Sequence, residues 1–591
     1  MARKMPETKS NSSTYTKPGT FRMSLKSLRV IAGLGVSALA FPGLITPSLH
    51  AAGNPRPNDD RAAAFIAGYE KEVRPLEIAV NLAWWNANVS GKDEDFKVKE
   101  EAQNKLDAAL ADSARFSELK AIKQSRPNDL LLRRQIEVLY LEYLEKQLDP
   151  GLLRSMTAKA NTIEKAFNVT RAKVAGREMT DSEVRKVLTE SKDAAARQAV
   201  WEASKAVGAA VEKDLLELVG LRNQAARKLG FKDYHVMQLY LNEQDQARVL
   251  KLFDQLDRLT REPFRRAKVA IDARLAADCG LPVASLRPWH YHDPFFQEAP
   301  VISGTDLDVV YAKVDILKLC RDYYAGIGLP IDDVLTRSDL YEKPGKSPHA
   351  FSTDIDRRGD VRVLANVVPN LNWMKTMLHE LGHSVYSSKN IPATLPYALR
   401  TEAHILTTEG MAMMFERPAV SAEWLGAMGV TVPDPRGFNQ AGAEKQRNEL
   451  LVFSRWCQVM FRFEKELYAN PSQDLNKLWW DLVEKYQMLK RPEGRHAPDY
   501  ASKIHIVTAP AYYHNYMLGQ LFASQVHHTI AREVLKAPPA QALYVGRPEV
   551  GEFMKSHVFG PGRTLPWNAL TKFATGADLN PKAFAQDFQG K

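Results

Sequence analysis

The sequence predicts a mostly α-helical fold carrying one short β-hairpin, on three observations. Between about residues 60 and 275 apolar residues recur at helical spacing, with Lys, Glu, Arg and Gln filling the positions between them. Strand-like alternation is confined to HAFSTDI and VRVLANVV, residues 349–355 and 361–368, on either side of a turn containing Gly359. A helical pattern then returns at 373–386, WMKTMLHELGHSVY, and persists through most of the remaining chain.

Taken in order, the first 22 residues are polar and rich in Ser, Thr and Lys. From Met23 the pattern changes: Lys26 and Arg29 precede an apolar run over 30–45, and small residues follow at Ala51 and Ala52. That order describes a secretory signal peptide. Gly33, Gly35, Pro42, Gly43 and Pro47 interrupt the run, which is short for a membrane span. Residues 1–52 are therefore expected to be a disordered leader plus signal peptide, with translation starting at Met1 or Met23 and cleavage near residue 52. The product is expected to be exported, periplasmic or secreted, with residues 53–591 forming one domain and no stable membrane insertion.

Amphipathic helices are expected at 59–72, 130–146, 181–207 and 212–229. Pro282, Pro288, Pro294 and Pro300 then break the pattern, and helix returns at 306–327. After the hairpin and the helix at 373–386, Pro392 and Pro396 lead into a helix over 400–415, stopped by Pro418. Further helices are expected at 441–467, 474–489 and 512–534.

Composition narrows the function. The 591 residues carry a net charge of +10. Residues 1–52 hold seven basic side chains against the single acid Glu7, so the remainder carries +4. No basic stripe is interleaved with aromatics, and a nucleic-acid partner is not expected. Cys279, Cys320 and Cys457 form no Cys-x-x-Cys pair, which argues against a disulfide scaffold or a thiolate metal site while allowing one bridge.

The chemistry is concentrated at His379, Glu380 and His383. Two histidines four apart stand one turn above the other on a single helix face and can grip one metal ion. Glu380, beside the first, can reach a water on that metal without ligating it. A catalytic zinc keeps three protein ligands and one open position. Glu402, Glu409 and Glu416 are the candidates for the third. Glu409 is preferred, because it lies mid-helix beside Gly410, where close approach to the histidine helix is sterically easy. Glu402 is expected to shape the site or form an ion pair, and Glu416, near Pro418, to lie at the surface. The expected cofactor is one Zn2+ per chain.

HELGH followed by a glutamate on the next helix resembles the gluzincin metallopeptidases. The rest is similar to the angiotensin-converting-enzyme family of zinc peptidyl-dipeptidases. WWDLVEKYQ (479–487), KIHI (503–506), Tyr513 with Tyr516, and Gln525 with His527 match that family in order. HAFS (349–352) resembles a strand of that family thirty residues before the first zinc histidine, and GLRNQAARKLGFKDY (220–234) and WWNANVSGKDED (84–95) resemble it more loosely. The resemblance implies two helical lobes around a deep central cleft, with the hairpin lining one wall, and peptide substrates losing C-terminal dipeptides. It implies His379, His383 and Glu409 as metal ligands and Glu380 as the proton carrier. Tyr516 and His505 would be donors to the developing oxyanion, His349 and Ala350 contacts to the substrate backbone, and Lys503 and Tyr513 the holders of its terminal carboxylate.

Four departures accompany the likeness. The family's carboxylate-binding glutamine is absent near 289–291. Met413 stands where an aspartate would back a zinc histidine. One residue is inserted between His505 and Tyr513, making Tyr512 a rival for the carboxylate role. Val483 and Asn515 replace two chloride-coordinating arginines, which argues against chloride activation. A thimet-type oligopeptidase, a metallocarboxypeptidase, or a non-catalytic peptide-binding protein on the same fold are the alternatives.

Overall fold

The computed structural model describes residues 57–302 and 304–588, so the expected leader and signal peptide lie outside the described residues. The expected helix at 59–72 opens a far longer one, Pro57–Ser90, and that at 130–146 is Leu130–Glu145. The next boundary moves. Instead of breaking near residue 210, the chain forms a short helix Asp181–Glu190 and then an unbroken one, Ala194–Lys228. Asp193 sets the division, because its carboxylate accepts hydrogen bonds from the amides of Ala195 and Ala196 and starts the second helix. Asp315 acts alike within 306–327: it caps Ile316–Gly326 and separates it from Asp308–Tyr311.

The expected hairpin is present as Phe351–Asp354 paired antiparallel with Val361–Leu364, Phe351 opposite Leu364. It is not alone. Ala172–Val174 and Arg177–Met179 form a second antiparallel ribbon, whose three-residue strands are too short for alternation to register in the sequence.

Two large apolar cores organise the helices. One is built mainly from the first four helices and closed by Tyr397, Ala398 and Leu399. The other extends from Leu141 to Phe588 and takes in Met374, Met377, Leu378 and Leu381 of the histidine helix. A small cluster of Trp85, Phe351, Ile355 and Leu364 packs the first helix against the hairpin. Among the described residues no helix is long and apolar enough to cross a membrane. Cys279, Cys320 and Cys457 are free, so the one bridge that composition allowed is not formed.

Candidate metal centre

The histidine helix runs Leu371–Val385 and starts where Asn370 Oδ1 accepts a hydrogen bond from Trp373 N at 2.8 Å. It is buried on nearly all sides. The glutamate helix, Ile405–Glu416, packs directly on it. Their close approach is made by Gly382, where a Cβ would come 2.8 Å from Ala412 Cα. This corrects the expectation placed on Gly410. That glycine instead faces Gly519 O, on the third helix of the site, His514–Thr529, at 2.7 Å from an added Cβ.

The three expected ligands come together. His379 Nε2 and His383 Nε2 are 3.2 Å apart, and Glu409 Oε2 lies 3.6 and 3.7 Å from them. Zinc bonds of ~2.1 Å arranged tetrahedrally place neighbouring donors ~3.4 Å apart, so this triangle is one face of such a site. Both Glu409 oxygens are buried without a hydrogen-bond partner, at a residue only 1% exposed. A carboxylate held there requires a cation. The same demand falls on His379. Burial opposes its protonation, yet Glu409 and Glu416, with Glu380 adding to them, raise its pKa to about 10. A divalent cation meets that demand while both imidazoles stay neutral. The residues present therefore fit zinc.

The outer ring nitrogens are also engaged. His379 Nδ1 lies 3.1 Å from Glu416 Oε2, and His383 Nδ1 lies 2.7 Å from Thr408 Oγ1. Protons on Nδ1 donate outward and leave both Nε2 lone pairs facing Glu409. Glu416 is thus not a surface residue but the carboxylate behind His379, a place Met413 cannot fill. Helical periodicity carries the correction: three residues beyond Met413, Glu416 returns to nearly the same face of the helix. Glu402 lies before the helix begins, where Thr401 Oγ1 donates to it at 2.5 Å.

The downstream residues assemble around Tyr513. Its ring centroid lies 5.2 Å from that of His505 and 5.6 Å from that of Tyr516, and Lys503 Nζ lies 5.7 Å from it. Tyr512 meets the same Tyr516 ring edge-on at 5.4 Å, while Lys503 stands over the Tyr513 ring. Of the two rivals, Tyr513 is therefore the one beside Lys503. Between His505 and Tyr513, Ala511 has a φ of 53° and its amide donates to buried Glu464 at 2.8 Å. Burial first, then Tyr512 and Glu409 of the triad, push the Tyr516 pKa well above 10. Burial, with Lys503 beside it, lowers the His505 pKa to about 3, so its imidazole is neutral near pH 7.

One residue of this cluster escaped the sequence reading. Lys503 Nζ donates to Gln297 Oε1 at 2.5 Å, so a glutamine does stand beside the lysine, several residues beyond the stretch 289–291. Asp293 Oδ1 places it, accepting hydrogen bonds from the amides of Phe295 and Gln297 at 2.9 and 3.0 Å. The Asp293-Pro294 pair was the available signal, since it marks a tight turn that folds the following residues back. Ala350 is buried at the start of the hairpin, and Ser352 Oγ meets Ser384 Oγ of the histidine helix at 2.9 Å. His349 is exposed, and no hydrogen bond ties its ring to the triad among the described residues.

Comparison with known proteins agrees with this geometry. The family model for angiotensin-converting enzyme matches residues 56–264, and that for peptidase family M3 matches residues 335–590. The chain is 22% identical to angiotensin-converting enzyme of Mus musculus, over 91% of this chain and 43% of the relative. It is 20% identical to that of Theromyzon tessulatum, over 49% of each, and 22% identical to that of Mesocricetus auratus, over 47% of this chain and 22% of the relative. The alignments thus cover half or less of these relatives' own length. Two peptidase family models divide much of the chain between them, the second spanning the helix-borne triad, and with these relatives they support an angiotensin-converting-enzyme-like gluzincin peptidase.

Proposed function

We propose that the chain is a zinc-dependent dipeptidyl carboxypeptidase, removing dipeptides from the C-terminal end of oligopeptides. The observation that carries this reading is the group formed by buried Lys503 and Tyr513 with half-buried Gln297, the Tyr513 ring meeting that of Tyr516. An ammonium hydrogen-bonded to a neutral amide keeps donors for a carboxylate, and a fixed path from it to the triad measures off a fixed length of substrate.

When bound by His379, His383 and Glu409, zinc supplies Lewis acidity and makes water a stronger acid. The remaining work belongs to the chain. Glu380 takes a proton from the attacking water and returns it to the leaving nitrogen as the peptide bond breaks. Tyr516 donates its phenolic hydrogen to the oxygen that gains negative charge, and His505, neutral, offers an N–H in the same cluster. Burial, then the neighbouring Tyr512 and Glu409, keep the Tyr516 proton in place well above neutral pH. His349 and Ala350, beside the hairpin, meet the substrate backbone, and Lys503 with Tyr513 and Gln297 hold its terminal carboxylate.

A decapeptide with a free C-terminus is expected to lose successive dipeptides, and the same peptide amidated is expected to resist, as read by mass spectrometry. Internal cleavage of both would favour the second reading, an oligopeptidase, to which the match of residues 335–590 with peptidase family M3 lends support.

Chloride is expected to leave kcat/KM unchanged. Asn515 is neutral and its side-chain oxygen accepts from Gln244 Nε2 at 2.6 Å, while Val483 is apolar and buried. Neither position offers an anion a positive charge. Titration with sodium chloride against sodium acetate at constant ionic strength tests this, and a several-fold activation specific to chloride would refute it.

A further inference from the structure

A second buried lysine lies beside the Lys503 group. Lys205, on the helix Ala194–Lys228, is 3% exposed. Its ammonium stands 3.0 Å from the centroid of the Phe295 ring and 5.3 Å from that of Trp201. Lys503 Nζ hangs over the same Phe295 ring at 5.2 Å, so the two ammoniums are no farther apart than those two distances together.

The acids of this neighbourhood are engaged elsewhere. Asp499 is gripped by Arg495 through three contacts of 2.7 to 3.1 Å. Asp293 accepts from two backbone amides and faces Arg185 at 3.8 Å, and Glu298 faces the same arginine at 3.5 Å. Burial lowers the Lys205 pKa to about 7, with Asp499 and Asp293 resisting and Lys503 and Arg495 assisting. An aromatic face attracts an ammonium but offers its three N–H groups no lone pair. An arriving anion could therefore bond Lys205 without first breaking an ion pair.

We propose that Lys205 and Lys503 together read the substrate's last residue, Lys503 taking the main-chain carboxylate and Lys205 the side-chain carboxylate of a C-terminal aspartate or glutamate. This rests on the dipeptide-releasing reading and adds a specificity to it. Lys205 makes no bond to the scissile group, so it is a specificity-determining residue rather than a catalytic one.

Four peptides identical except for a last residue of Glu, Gln, Asp or Asn test the assignment. Wild-type protein is expected to cleave the acid-ended peptides with kcat/KM about tenfold above their amide isosteres, the gain lying in KM. Lys205→Met and Lys205→Gln are expected to bring that ratio close to one, while Lys205→Arg retains part of it. A wild-type ratio near one overturns the assignment without any variant. So does a full ratio in Lys205→Met protein whose zinc content and melting temperature match wild type. Either result with dipeptides still released leaves the proposed function standing. Products of other lengths from all four peptides would sink that function and this assignment together.

Discussion

Glu380→Gln protein is expected to bind zinc as wild type does and to hydrolyse peptides about 10²–10⁴-fold more slowly. Glutamine keeps the shape of the side chain and loses the basic oxygen. The three ligand atoms belong to other residues, so metal content should stay at one per chain by elemental analysis. Glu380 is 1% exposed, and an amide of equal size preserves the packing of the histidine helix. The fall should appear in kcat with little change in KM, because the proton moves only as the bond breaks. Wild-type kcat in this variant would exclude Glu380 as the proton carrier.

Removing the third ligand should have an equally large effect by another route. Glu409→Ala protein is expected to lose stoichiometric zinc on dialysis and all measurable hydrolysis with it. The paired test is Glu416→Ala, which leaves every ligand atom in place but frees His379 Nδ1. Loss of such an outer partner weakens metal binding by about 10–100-fold. Competition with a chelator should therefore order the proteins as wild type, then Glu416→Ala, then Glu409→Ala. A Glu416→Ala affinity equal to wild type would show that the contact to His379 does not steer the ring. Retention of zinc by Glu409→Ala would remove the ligand set altogether.

The long-range residues were the hard ones to read. Gln297 and Lys503 are 206 positions apart in the chain and meet because a turn at Asp293 folds one loop back toward the other. Glu416 looked peripheral because Pro418 ends its helix, yet one more turn beyond Met413 brings a carboxylate to His379. The choice between Tyr512 and Tyr513 hung on a single inserted residue, and the structure places the Tyr513 ring beside Lys503. Glycine next to a ligand was a sound clue that helices approach closely there. Which helices meet at which glycine was not readable, since Gly382 and Gly410 are alike in sequence and differ in the neighbour each faces.

What the sequence determined by itself is everything that depends on helical spacing. His379 and His383 stand one turn apart on one face of one helix with Glu380 beside the first, and the next helix carries the glutamate that completes the ligand set. Those relations follow from 3.6 residues per turn and survive in any packing. Tertiary structure alone decided which carboxylate backs His379, which tyrosine faces Lys503, and that Lys205 and Lys503 share the Phe295 ring. Such contacts join segments far apart in the chain, and their geometry is set by the shapes of the packed helices between them rather than by any local period.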